Sequence, residues 1–271
     1  MTIIDGAPPV ADLQGLGSLA VGDVDGDGHI EVFMAGEGAL LWYRPATGEQ
    51  GVVAEGIYHV GLAVGDVDGD GRLEVVAGEQ YPDAKPRRWS IGWYKPGADL
   101  SKPWQRFAID ENPVGGSHDV VLVDIDGDGQ QELVAGEYGG QEPPGVFIYK
   151  RGDDARKPWR RFTVQRGYME EGLVVGDLNA DGRLEVVSGP CVYFCPADGP
   201  LSGPWRRMVF APTHREMNRV KLIDITGTGR PDIVLVDSEY FEGRLSWFEN
   251  RLLEDPANPW VEHLLERGLI Y

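Results

Sequence analysis

The chain has 271 residues, 42% apolar and 25% charged, with a formal net charge of −19. That length allows one large domain or two small ones with a sizeable core, and the acidic balance argues against nucleic-acid backbones and anionic membrane surfaces as partners. No apolar run reaches the roughly 20 residues of a membrane helix, so no membrane insertion is expected, and "MTIIDGAPPV" has no basic region followed by an apolar run, so no signal peptide is visible.

The chain writes one unit five times. The first contains "VGDVDGDGHIEVFMAGE" from Val21, then "LLWY" at 40, then "QGVVAEGI" at 50. The second has "VGDVDGDGRLEVVAGE" from Val64, "IGWY" at 91 and "PWQRFAI" at 103. The third has "LVDIDGDGQQELVAGE" from Leu122, "VFIY" at 146 and "PWRRFTV" at 158. The fourth has "VGDLNADGRLEVVSGP" from Val175, "VYF" at 192 and "PWRRMVF" at 204. The fifth has "LIDITGTGRPDIVLVD" from Leu222, "LSWF" at 245 and "PWVEHLL" at 259. Short β-branched runs between Gly and Pro, with no segment of helical periodicity, read as four antiparallel strands per unit. Successive units start 43, 58, 53 and 47 residues apart, which is the spacing of propeller blades. The expected fold is an all-β propeller forming a single domain over 1–271, with blades at about 11–58, 59–110, 111–167, 168–212 and 213–266. Both "TIID" at 2 and "VEHLL" at 261 read as an outer strand, one more than a closed five-bladed ring needs. A fragment of a six- to eight-bladed propeller is therefore the alternative to five blades.

Between the first two strands of each unit lies an acidic loop. With Asp66 as position 1, side-chain oxygens fall at positions 1, 3, 5 and 9: Asp66, Asp68, Asp70 and Glu74. Gly71 allows the reversal, and the carbonyl of Arg72 faces inward. Alternate carboxylates around one point make an oxygen cage for a hard cation, and their number and flexibility favour Ca²⁺. The same set recurs as Asp23, Asp25, Asp27 and Glu31 with the carbonyl of His29, and as Asp124, Asp126, Asp128 and Glu132 with that of Gln130. The fourth loop has Asp177, Asn179, Asp181 and Glu185 with the carbonyl of Arg183. The fifth keeps only Asp224 and Asp232, with Thr226 and Thr228 between, and is expected to be weak or empty, its turn held by hydroxyl hydrogen bonds. About four calcium sites result. An EF-hand needs Glu at position 12 between helices, but Met34, Ala77, Ala135, Ser188 and Leu235 stand there, between strands. Solvated Asp-Gly turns without metal would not require four carboxylates in nine residues.

These Dx[DN]xDGxx[ED] loops on strands resemble the FG-GAP or VCBS repeats of integrin α-subunit propellers, propeller lectins and propeller polysaccharide lyases. The resemblance covers nearly the whole chain, although "VAGE" replaces the FG-GAP dipeptides. It implies a calcium-binding propeller; it does not choose among adhesion, lectin and enzyme roles.

Function is expected on the face opposite the loops, near the central channel. The leading expectation is a module that binds carbohydrate or a protein partner through Tyr81, Arg87, Trp89, Glu137, Glu170, Asn218 and Tyr240. The alternative is a lyase for uronate-containing glycans, in which His118, Tyr138, His59 and Arg219 remove the C5 proton and neutralise the carboxylate. The Pro-Trp tryptophans read as blade packing. Cys191 and Cys195 on one extended strand would lie about 13 Å apart, too far for a disulfide, and read as free buried thiols. The chain is expected to be a monomer or part of a longer propeller. Calcium loops suit the millimolar calcium outside cells, so an extracellular location is favoured, although no signal peptide is visible.

Overall fold

The computed structural model describes residues 17–58, 61–140 and 142–269. Every regular element in them is a strand, and no helix is long and apolar enough to cross a membrane. The strands fall into five groups of four. The first is β1 (Ser18–Gly22), β2 (Glu31–Ala35), β3 (Glu37–Tyr43) and β4 (Gln50–Ile57). The second is β5 (Leu62–Gly65), β6 (Glu74–Tyr81), β7 (Arg88–Lys95) and β8 (Gln105–Asp110). The third is β9 (Gly116–Val123), β10 (Glu132–Tyr138), β11 (Gly145–Lys150) and β12 (Arg160–Arg166). The fourth is β13 (Leu173–Gly176), β14 (Glu185–Ser188), β15 (Cys191–Phe194) and β16 (Arg206–Val209), and the fifth β17 (Asn218–Ile223), β18 (Asp232–Asp237), β19 (Gly243–Asn250) and β20 (Trp260–Leu269). Within each group neighbours in sequence pair antiparallel, and a single bridge, Ile57 to Gln80, joins the first two groups into one sheet. These are the blades of a β-propeller.

The inner strands stand side by side in the order β1, β5, β9, β13, β17. Together they line a cavity of about 520 Å³, the central channel, whose walls include Leu19, Leu62, His118, Asp119, Val174 and Lys221. Glycine sets how closely they approach. A Cβ on Gly22 would lie 2.6 Å from Val64 Cγ1, and one on Gly176 2.6 Å from Leu222 Cδ1.

The core is divided between blades. Strand alternation sends one set of apolar side chains to each face, and the facing sets interlock. Phe33, Leu40, Trp42, Tyr94 and Trp104 belong to the cluster between the first two blades. Ile91, Trp93, Leu133, Phe147, Tyr149 and Trp159 fill the second junction. Val134, Ile148, Val186, Tyr193 and Trp205 fill the third, and Leu178, Val192, Phe194, Phe210, Leu235 and Phe248 the fourth. Among the described residues no such cluster joins the fifth blade to the first. Leu19 and Val21 on β1 and Ile223 on β17 are instead exposed, at 69%, 60% and 53%.

Three of the Pro-Trp tryptophans are buried and repeat one contact: Trp104, Trp159 and Trp205 donate their indole N–H to the carbonyls of Leu100, Ala155 and Pro200. Trp260 is partly buried against the fourth cluster. Cys191 and Cys195 are buried free thiols, and burial raises the pKa of both.

Candidate functional site

The five acidic loops emerge between the first and second strands of the blades. In each, the leading Asp turns back on the loop. Asp23 accepts the N–H groups of Gly26 (2.8 Å), Asp27 (3.1 Å) and Gly28 (2.9 Å); Asp124 and Asp224 accept from the three equivalent amides, Asp66 from those of Gly69 and Gly71, and Asp177 from that of Gly182. The ninth residue closes the loop from the other end. Glu31, Glu74, Glu132 and Glu185 accept the N–H of Val24, Val67, Ile125 and Leu178, and Asp232 accepts that of Ile225. The turns need residues at positive φ: Gly26, Gly69 and Gly127 lie at 75 to 78°, and in the fourth loop Ala180 is forced to 57°.

Donor oxygens then converge. One carboxylate oxygen from each of Asp23, Asp25 and Asp27 lies within 4.8 Å of the others; so do those of Asp66, Asp68 and Asp70, and of Asp124, Asp126 and Glu132. Glu74 Oε1, Asp126 Oδ1 and Asp177 Oδ1 are buried without a hydrogen-bond partner. Hard oxygens gathered at one point, some of them buried and unsatisfied, fit a calcium ion in loops one to four. In the fifth, Thr226 Oγ1 donates to Asp232 (3.1 Å) and lies 3.4 Å from Thr228 Oγ1, so hydroxyls stand where the other loops place carboxylates. Burial pushes Glu74 and Glu185 up to about 7 in the metal-free loops.

Basic side chains that the loop pattern does not announce enter the first three cages. Arg44 lies 2.5 Å from Asp25, 2.6 Å from Glu31 and 3.4 Å from Asp27. Lys95 Nζ lies 2.5 Å from Asp68, 2.6 Å from Asp70 and 3.4 Å from Glu74. Lys150 Nζ lies 2.7 Å from Asp126, 2.8 Å from Asp128 and 2.7 Å from Glu132. Each directly follows the aromatic residue that ends its blade's "WY" or "IY" motif, and that position is the only trace of this role in the sequence.

On the opposite face, residues from three blades meet at the channel mouth. His118 Nδ1 lies 3.0 Å from Asp119 Oδ2, which also accepts Tyr138 OH (3.2 Å) and the N–H of Gly172 (3.1 Å). The His118 and Tyr138 rings are 5.3 Å apart. Glu171 Oε2 lies 3.6 Å from both His118 Nε2 and Arg219 Nη1, and donors of His118, Glu171 and Glu239 fall within 4.8 Å of one another. Burial lowers the His118 pKa, but Asp119 and Glu171 outweigh it and the net shift is upward. Burial raises Asp119, but the bond to His118 outweighs it and holds this carboxyl below its usual range. Burial, with Asp119 and Glu171 alongside, pushes the Tyr138 phenol up. A depression of about 230 Å³ opens beside this cluster, lined by Glu79, Gln80, Arg87, Trp89, His118 and Tyr138.

His118, Tyr138 and Arg219 are thus brought together, with Trp89 and Arg87 beside them; His59 lies outside the described residues. Tyr240 lines a separate depression of about 450 Å³ with Arg207, Arg215 and Glu216, and Arg215 stacks on its ring. Tyr81 is half-buried, bonded to Glu79 and covered by Arg88. Three of the expected ligand-binding residues are buried, although Glu170 also lines the depression beside Tyr240. Glu137 is fully buried, accepting from Tyr149 OH and the N–H of Val114. Glu170 is buried against Tyr193 OH and Arg207, and Asn218 is fully buried with its amide on the carbonyl of Arg215. A buried carboxylate needs partners more than it needs a ligand, and sequence position at a strand end does not reveal which way a side chain turns. Asp119 is the residue that sequence reading missed: it reads as one of a pair at the start of an inner strand, yet it holds both His118 and Tyr138.

Strand-flanked acidic loops on four-stranded blades define a β-propeller. Residues 23–77 and 124–188 match the FG-GAP-like repeat family. No curated protein matches it in sequence. Among solved structures it is similar to the Vibrio cholerae biofilm matrix protein Bap1 (16% identity, TM-score 0.53, 87% of this chain and 38% of that one). It is also similar to the rhamnogalacturonan lyase YesW (17% identity, TM-score 0.51, 86% of this chain and 48% of that one). The chain spans less than half of either, and at these identities the likeness is one of fold.

Proposed function

We propose that the chain is a calcium-stabilised propeller module that binds an acidic carbohydrate on the face opposite its calcium loops. The observation that carries this reading is the convergence of Trp89, Tyr138, His118 and Arg219 at the channel mouth. Trp89 and Tyr138 offer rings to a sugar face, and Arg87, Arg219 and the cationic form of His118 offer charge to a uronate carboxylate. Calcium in loops one to four neutralises the carboxylates that would otherwise repel one another and holds the blade ends, without entering the binding site.

A uronate lyase is the second reading, since the same residues lie near one another. Elimination needs a base, however, and the surroundings work against both candidates: Asp119 and Glu171 shift the His118 pKa upward in spite of burial, and burial, with Asp119 and Glu171 alongside, pushes the Tyr138 phenol up. That favours binding over proton abstraction. The test is a screen of uronate polysaccharides read for binding and for the ultraviolet absorbance of unsaturated products. Binding that Trp89→Ala weakens by tenfold or more, without new absorbance, supports the module; absorbance abolished by His118→Ala replaces it with the lyase. No binding to any acidic glycan, or binding unchanged by Trp89→Ala, refutes the proposed site.

A further inference from the structure

We propose that Arg44, Lys95 and Lys150 are tethered counter-cations that hold the first three acidic loops in their folded geometry without metal and compete with calcium for the same oxygens. The inference rests on the calcium reading of the loops.

The three side chains reach the cages by one route. In each blade the residue after the loop Glu pairs across the sheet with the aromatic that ends the motif: Val32 with Tyr43, Val75 with Tyr94, Leu133 with Tyr149. The next residue therefore stands beside the loop, and in these blades it is Arg44, Lys95 or Lys150. Each touches three loop carboxylates, the innermost of which, Glu31, Glu74 and Glu132, are fully buried. An exposed surface pair is one-to-one and worth little; a buried carboxylate without a counter-charge is costly. The metal-free loop thus needs a cation, and the chain supplies one.

The counter-charge supplied by the neighbouring strand follows the number of carboxylates, although in the fourth loop Arg183, of the loop itself, lies 2.6 Å from Asp181. Where the loop has four, the next-strand residue is basic. In the fourth blade Phe194 occupies that place, the loop has three carboxylates, and the Asn179 amide points at Asp181 (3.2 Å) and Glu185 (3.4 Å). In the fifth blade Glu249 occupies it, beside a loop with two carboxylates and the Thr226 hydroxyl. A chance scatter of surface lysines would not stop where the fourth carboxylate stops.

The two cations exclude one another. Lys95 and Lys150 hold their closest oxygens at 2.5 to 2.8 Å, close to the about 2.3–2.6 Å at which calcium is bound. For a dication to enter, the ammonium must swing out to solvent, and both lysines are only partly buried. Arg44, deeper and on more partners, is the harder to displace.

The test compares the full chain with Lys95→Gln and, as a control, the exposed Lys102→Gln, by calcium titration calorimetry after metal stripping and by melting in chelator. Lys95→Gln is expected to tighten calcium at one site by about 30-fold, because calcium no longer has to displace an ammonium from the Asp68 and Asp70 carboxylates, each contact taken at about 4 Å in water-like surroundings. It is also expected to melt lower than wild type in chelator and to recover with calcium, while Lys102→Gln does neither. Calcium affinity that is unchanged or weaker in Lys95→Gln overturns the competition. If neither protein binds calcium at any loop, the calcium reading itself fails and the proposal with it. Should Lys95→Gln not fold, Lys150→Gln provides the same comparison in the third blade.

Discussion

Glu137 gives the protein a pH dependence that can be calculated in advance. Its carboxyl is fully buried between the second and third blades, and burial pushes its pKa up to about 7, against lowering contributions from Tyr149, the N–H of Val114 and Arg161. In the unfolded chain the group titrates near the ordinary glutamate value of about 4.3. A folded pKa above the unfolded one means that the native state holds the extra proton. The stabilisation is therefore complete below about pH 4 and is lost as pH rises through about 7. Nearly three pKa units at about 1.4 kcal/mol each give roughly 3–4 kcal/mol, lost between about pH 4 and 8, with about two-thirds of it falling between pH 5 and 8. For a chain of this size that is a fall in Tm of roughly 6–10 °C. Glu137→Gln keeps the shape and a polar group for Tyr149 but carries no titrating proton. Urea unfolding of both proteins in saturating calcium at pH 5, 6, 7 and 8 isolates the group, because other titrations cancel in the difference. The wild type should lose stability relative to Glu137→Gln as pH rises. Parallel curves would refute the assignment of a buried, protonated carboxyl to this site.

Ala180 in the fourth loop holds a left-handed backbone at φ 57° with an exposed side chain. Ala180→Gly should therefore stabilise by about 1 kcal/mol, seen as a rise in the urea midpoint; a loss of stability would mean that the alanine is not strained. Leu133→Ala, in the core between the second and third blades, should cost about 2–5 kcal/mol, whereas Leu19→Ala on the exposed inner strand of the first blade should change stability by no more than about 0.5 kcal/mol. Equal costs in chemical denaturation would show that Leu19, on the channel side of the first blade, is packed in solution.

The repeat was legible because it is local. Asp at alternate positions, a reversing glycine and a closing Glu nine residues on can be read without knowing what lies across the sheet, and the strands followed from the same punctuation. The fifth loop's hydroxyl-held turn could be read as well, since Thr226 and Asp232 belong to one turn. What the pattern does not carry is the direction of individual side chains. Glu137 and Tyr138 are neighbours at the end of one strand, and period-two alternation sends one into the core and the other to the rim. Sequence position alone placed both on the face opposite the acidic loops.

The sequence by itself determined the strands, the blade repeat and the oxygen cages, because each depends on residues within one unit and on alternation along it. Only the tertiary structure decided which groups meet. His118, Glu171, Arg219 and Glu239 come from three blades, and their distances depend on how the inner strands pack around the channel. Lys95 reaches Asp68 across 27 residues of chain because antiparallel register, rather than spacing, brings the end of the third strand back to the loop.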